Sequence, residues 1–334
     1  MGKSVKRGSD TTLIATTRPT GAPRRLMLAA TPALLLAGTA RRGSAAPAKV
    51  LRMGTQKGAA ILMAERQQKG LEVLLNPLGI DVQWVEFQFG PPLLEAMRIG
   101  SIDIGLVGDT PPIFSQAAKG DLLYVAAVPS GASAILVPPG STLQTLGDLK
   151  GKRVAFARGS SSHNLTIAAL EKAGLQYDQI QATQLAPADA AAAFERGSID
   201  AWTIWDPYYA LYESRPGVRV LAESTDIAPQ NSFFIASRTY VEGNLETTRK
   251  VLGELSRISD WAAANRTEVA QLVSTGTGMP LEPTLRAMQR YPFKVLPMSD
   301  EYARAQQGIA DRFHRLGVIP SRITVAEQMW RPSA

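Results

Sequence analysis

The chain contains no cysteine. That excludes disulfides, thiolate metal sites, cysteine nucleophiles and a lipid-bearing cysteine behind a leader. Histidine is scarce too: His163 and His314 lie far apart, neither with an acid at metal-ligand spacing, so no metal is expected. There is no nucleophile elbow, and a triad of Ser160, His163 and Asp206 has little to recommend it. The Gly-x-x-x-x-Gly-Lys phosphate loop is missing. No catalytic residue and no cofactor are therefore expected. Beyond residue 40 no apolar run is long enough to span a bilayer.

An excess of one charge sign is also lacking once the first segment is set aside. Eight of the 36 Lys and Arg, and one of the 29 Asp and Glu, fall in residues 1–48. The remaining 28 of each sign balance, so the pI near 9.7 says nothing for a phosphate-backbone binder, and no nucleic-acid partner is expected. The basic front ends in Arg24-Arg25 and runs into LMLAATPALLLAGTA (26–40), with Ala46-Pro47-Ala48 fitting an A-x-A site. This pattern predicts an export signal over 1–48 cut near Ala48, and a soluble monomer in the periplasm. The general secretory and twin-arginine routes both stay open.

The body alternates strand and helix signals. Strands are expected at 49–56, 81–89, 102–108, 122–128 and 133–139. Helices are expected at 58–79, 91–100 and 111–120. The order then starts over with strands at 152–157, 180–186 and 199–205 and helices at 162–174 and 188–197. Such alternation predicts an α/β protein with mostly parallel sheets flanked by helices. The run 231–237 reads as a strand pairing beside 133–139, and 239–334 as mostly helical. The expected organisation is two lobes joined by two hinge crossings. One is discontinuous, 49–138 plus 231–334; the other is 139–230.

One phrase occurs twice: Arg-Ile-Gly-Ser-Ile-Asp from Arg98 and Glu-Arg-Gly-Ser-Ile-Asp from Glu195. Gly100 and Gly197 read as left-handed helix ends. Asp109 and Asp206 follow the next strands at their C-terminal ends, where open α/β sheets bind ligands. GDTPP (108–112) puts Gly108, Asp109 and Thr110 there, and WDPYY (205–209) puts Trp205 and Asp206 on the opposite wall. Capping of the next helix and contact with a ligand both remain open for the two Asp. RGSSSHNL (158–165) gathers Ser160, Ser161, Ser162, His163 and Asn164 at a strand-to-helix turn, an arrangement suited to an anion. Gln56 and Lys57 occupy the counterpart turn, with Lys57 facing either an anion or solvent. Phe89 and Trp205 are candidates for an apolar wall.

These stretches resemble the aliphatic sulfonate-binding proteins of ATP-driven bacterial uptake systems. The resemblance rests on QKG (56–58), WVEF (84–87), GDTPPIFSQAA (108–118), DLKGKRVAF (148–156), GSSSHNL (159–165) and IDAWTIWDPYY (199–209). It covers 49–331. Thr110 departs from it, since an apolar residue is expected there. The resemblance implies a two-lobed type II periplasmic binding fold that captures alkanesulfonates and delivers them to an ABC permease with its ATPase. The candidate ligand contacts are Gln56, Phe89, Gly108, Asp109, Thr110, the three serines, His163, Asn164, Trp205 and Asp206. A sulfonate has three acceptor oxygens and a permanent charge, which N–H groups, hydroxyls and an amide satisfy. Binding proteins for taurine, nitrate or a thiamine precursor share the fold and form the alternative. Enzymes on this fold are disfavoured, since they depend on cysteine.

Overall fold

The expected alternation of strands and helices folds into two sheets of five strands each. The structure is a computed structural model that describes residues 49–331. The export signal expected over 1–48 lies outside the described residues. The first part of the chain runs β1 (Lys49–Gln56), α1 (Ala60–Gln68), α2 (Gly70–Leu75), β2 (Ile80–Phe87), α3 (Gly90–Arg98), β3 (Ile104–Gly108), α4 (Thr110–Ala117) and β4 (Leu122–Pro129). It continues through β5 (Ser133–Val137), β6 (Arg153–Phe156), α5 (Ser161–Lys172), β7 (Gln181–Gln184), α6 (Pro187–Glu195), β8 (Ala201–Trp205), α7 (Tyr208–Glu213), β9 (Arg219–Glu223) and α8 (Ser224–Ile227). Last come β10 (Asn231–Ser237), α9 (Arg238–Gly243), α10 (Leu245–Ala264), α11 (Arg266–Thr277), α12 (Leu281–Arg290) and α13 (Asp300–Arg315).

The strand orders are β2-β1-β3-β10-β4 and β7-β6-β8-β5-β9. In each sheet the first three strands in this order are parallel, and the fourth runs against both its neighbours. The sheets are therefore mixed, with four strands in one direction and one reversed. The reversed strand is in each case the one that arrives from the other half. The chain leaves the first sheet after β4, enters the second as β5, and returns as β10. The expected pairing of 231–237 beside 133–139 is thus corrected: β10 lies between β3 and β4, and β5 between β8 and β9. Residues 133–137 belong to the second sheet, not the first. All five are buried, so no alternation marks one face and the run suits either sheet.

Local rules set most element ends. Prolines open α3, α4 and α6, where the missing N–H costs nothing. Gly100 and Gly197 take φ of +76° and +67° after α3 and α6, as their place in the repeated phrase predicts. The helix expected over 58–79 is interrupted. Lys69 turns left-handed (φ +56°) between α1 and α2, and the buried Glu65 carboxylate accepts the Leu71 N–H at 2.5 Å. A Cβ at Gly70 would strike the Glu254 carboxylate on α10, so the break lets these elements approach closely. Helices cover both faces of each sheet. Apolar clusters on the first sheet draw on α1, α2 and α10–α12 on one side and α3, α4 and α13 on the other. On the second sheet α6 and α7 pack on one face and α5 on the opposite one. Among the described residues no helix is long and apolar enough to cross a membrane.

Candidate ligand-binding cleft

The C-terminal ends of β1, β3, β6 and β8 converge on one cleft with about 850 Å³ of empty space, its mouth included. One wall carries Gln56, Lys57 and Gly58 at the start of α1, with Gly108 and Pro111 at the start of α4. The facing wall carries Ser160 and Ser161 at the start of α5, then Trp205 and Asp206 after β8. Both crossing segments contribute, through Ser130–Ser133 and through Gln230 and Ser232. Met288 of α12 and Tyr291 just after it complete the lining, with Leu106 as a further apolar contact.

The serine turn is built for exposed backbone donors. The Ser160 hydroxyl donates to the Ala157 carbonyl at 2.7 Å and lies 2.9 Å from the Ser162 hydroxyl. The Ala157 N–H donates back to Ser162 Oγ at 3.2 Å. These bonds fix the turn, so the first N–H groups of α5 point out of the helix without an intrahelical partner. The positive end of the helix dipole falls at the same place. Lys57 is the one cation among the described lining residues. Gly108 sits opposite Ser161 so closely that a Cβ there would land on the Ser161 hydroxyl.

The two Asp of the repeated phrase differ in their surroundings. Asp109 is wholly buried behind the cleft wall. Its oxygens accept from Thr110 Oγ1 at 2.8 Å, from Asn164 Nδ2 at 3.3 Å and from the Ser161 hydroxyl. Burial pushes its carboxyl pKa up, and these three donors oppose the shift. Its side chain makes no capping bond to α4. Asp206 lines the cleft and caps α7 by accepting the Ala210 N–H at 3.1 Å. Arg290, from the end of α12, grips it with two bonds of 2.7 and 2.8 Å. Burial raises the Asp206 pKa against the pull of Arg290.

Six expected residues meet in the cleft: Gln56, Gly108, Ser160, Ser161, Trp205 and Asp206. Gln56 also ties β1 to β3, its amide donating to the Leu106 carbonyl at 2.7 Å. The other six stand outside the lining. Thr110 spends its hydroxyl on Asp109, and Ser162 supports the turn. Asn164 bridges Asp109 and Arg312, accepting from the latter at 2.8 Å. Phe89 is half-buried before α3, leaving Gly90 to line the cleft in its place. His163 is packed among rings: stacked on Phe156 at 4.7 Å, with Phe114, Tyr177 and Phe313 around it. The Gly159 N–H donates to its Nδ1 at 3.3 Å, while Nε2 has no partner. Burial, aided by the nearby Arg158 charge, pushes its pKa down to about 4, so the ring is neutral. Among the described residues no cluster of acids and histidines could hold a metal ion.

Sequence reasoning missed the crossing segments, Gln230 and the α12 residues. Gln230 donates to the Ser161 carbonyl at 3.0 Å and so braces the serine turn from the second crossing. The crossings could have been found by noticing that both must pass between the facing sheet edges.

Residues 61–253 match a family model described as the periplasmic phosphonate substrate-binding protein of ABC transporters. A protein of Escherichia coli (strain K12) named for binding aliphatic sulfonates is 39% identical over 314 residues, 93% of this chain and 98% of that one. The solved alkanesulfonate-binding protein SsuA from Xanthomonas axonopodis pv. citri, bound to MOPS, is 40% identical with a TM-score of 0.81, covering 86% of this chain and all of that one. The solved periplasmic aliphatic sulphonate binding protein SsuA from Escherichia coli is 40% identical with a TM-score of 0.78, covering 85% and 93%.

Proposed function

We propose, since the chain belongs to the family of aliphatic sulfonate-binding proteins, the periplasmic substrate-binding components of ABC transporters, that it captures alkanesulfonates in the cleft between its two sheets. Members of this family bind and deliver rather than catalyse. The observation that carries the reading is the pairing across one cleft of the α5 start at Ser160-Ser161 with the α1 start beside Lys57. Two helix N-termini and one ammonium suit a monoanion whose three oxygens need donors. Leu106, Pro111, Trp205, Met288 and Tyr291 offer the apolar surface an alkyl tail needs. The sulfonate sits with its oxygens on the N–H groups of α5; the Ser161 hydroxyl, which otherwise donates to Asp109, turns to meet it, and Gln56, Gly108 and Trp205 complete the pocket.

The two sheets then act as lobes that close on the ligand, with hinges at 130–132 and 228–230. The mature chain is a periplasmic monomer, its leader over 1–48 removed, and it hands its ligand to a permease driven by an ATPase. A phosphonate is the second reading, because the matching family model carries that description. A phosphonate brings either a second negative charge or a proton that needs an acceptor, and one lining lysine fits a monoanion better. Calorimetry with butane-1-sulfonate, butylphosphonate and butanoate tests the reading. Tightest binding of the sulfonate is expected; tighter binding of the phosphonate overturns it.

A further inference from the structure

Asp206 puts a carboxylate into the wall of a cleft read here as an anion site. Its side chain is only 5% exposed, so water does little to screen it. Left alone, that charge would repel a sulfonate. Arg290 answers it. The guanidinium makes two near-parallel bonds to Asp206 at 2.7 and 2.8 Å, a geometry available to Arg and not to Lys. It also reaches Glu213 at 3.0 Å and lies over the Tyr209 ring at 4.0 Å, so its place is fixed from three sides. Arg290 itself does not line the cleft, although Met288 and Tyr291 on either side of it do.

We infer that Arg290 sets the charge selectivity of the cleft: by cancelling Asp206 it lets the cleft accept ligands with an anionic head and an uncharged tail. The inference rests on the sulfonate reading above. Arg290 acts through Asp206 and is a positioning residue, not a ligand contact. Without it, Asp206 in its ionised form is an unpaired anion in the wall. A plain alkanesulfonate then meets repulsion, while a sulfonate with an ammonium tail finds a partner.

Calorimetry with butane-1-sulfonate and 2-aminoethanesulfonate on four proteins tests this. R290Q is expected to bind butane-1-sulfonate roughly 10- to 100-fold more weakly than the wild type and to shift its preference toward 2-aminoethanesulfonate. R290Q/D206N is expected to recover butane-1-sulfonate affinity to within about threefold. Equal losses for both ligands with no recovery in the double variant would show Arg290 to be a mere clamp and overturn the inference. Should R290Q not fold, D206N decides alone. Arg290 still holds Glu213 there, so the tie between α12 and α7 survives. D206N is expected to bind butane-1-sulfonate at least as tightly as the wild type, and a tenfold loss or more would overturn the proposal. A wild type that ignores both sulfonates brings down the functional reading itself, whereas normal binding indifferent to R290Q brings down only this inference.

Discussion

Asp200 holds Arg153 twice, accepting its backbone N–H at 2.8 Å and its guanidinium at 2.8 and 3.1 Å. In the other half Asp103 accepts the Arg52 N–H at 2.8 Å, with the guanidinium at 3.6 Å. The same arginines reach back to the carbonyls of Gly197 and Gly100. This explains why Gly-Ser-Ile-Asp is written twice. In each half the glycine ends a helix, and the aspartate fastens the start of the incoming strand to its parallel neighbour. The joint lies at the strand starts, away from the cleft at their ends.

Replacing these aspartates is therefore expected to affect stability and spare binding. Asp103→Ala strips a buried acceptor from the Arg52 N–H and should cost about 1–3 kcal/mol. Asp200→Ala should cost less, because the Asp200 side chain is 31% exposed against 12% for Asp103. Thermal melts measure the costs, and calorimetry should find sulfonate affinity unchanged. A large loss of affinity in either variant would show that the joint reaches the cleft.

Much of this was legible in the sequence because local chemistry decides it. The positive-φ glycines, the proline-opened helices and the serine turn all carry their signals within a few residues. The partners of β5 and β10 do not, because fully buried strands lack the alternation that marks a face. Arg290 escapes for another reason: nothing around it distinguishes one helix-ending arginine from the rest, and its partner Asp206 is 84 residues away. His163 was misleading by position. It follows three serines at a promising turn, yet its ring points into Phe156 and Phe313.

His163 should make the fold sensitive to acid. Its folded pKa of about 4 lies below the ordinary 6.5, so the unfolded chain takes up its proton first. The contribution is full above pH 6.5 and lost as pH falls toward 4, amounting to about 3 kcal/mol. The difference in unfolding free energy between wild type and His163→Leu, measured by urea at several pH values, should change by that amount across the window. A flat difference would mean the ring is not held neutral.

Glu65 should act in the opposite sense. Burial lifts its pKa to about 7 against the pull of the Leu71 N–H, and the neighbouring Glu254 charge adds to the rise. A raised carboxyl contributes stability below pH 4.5 that is lost as pH climbs through 7. Glu65→Gln keeps an oxygen for the Leu71 N–H and cannot ionise. It should melt higher than the wild type at pH 8 and show little difference at pH 4.5; equal melting at both would refute the assignment.

The serine turn separates binding from packing within a few residues. Ser161 faces the cleft and also donates to Asp109, whereas Asn164 is buried behind the wall. Ser161→Ala should weaken sulfonate binding by about 1.5–3 kcal/mol, roughly 10–150-fold, if its hydroxyl turns to the charged head. Asn164→Ala should lower the melting temperature while leaving affinity near the wild-type value. The reverse pattern in calorimetry would move the anion away from the start of α5.

Closure is where the ion pairs and the ligand have to be weighed against each other. One tie between the elements of the two sheets joins Arg290 to Asp206 and Glu213; another joins Arg312 and Arg315 of α13 to Glu171 of α5, at 2.7 and 2.6 Å. The second tie is partly exposed, and such pairs contribute at most about 1 kcal/mol each. A ligand at about 100 times its dissociation constant adds about 2.7 kcal/mol to the state that binds it. The ligand term therefore outweighs the exposed tie, and closure should follow ligand rather than salt. Small-angle scattering should show a more compact molecule with butane-1-sulfonate, in low and in high salt alike. Glu171→Gln should widen the unliganded molecule and leave the liganded one compact. Identical scattering with and without saturating ligand would mean that the two sheets do not move on binding, and that the ties alone hold them together.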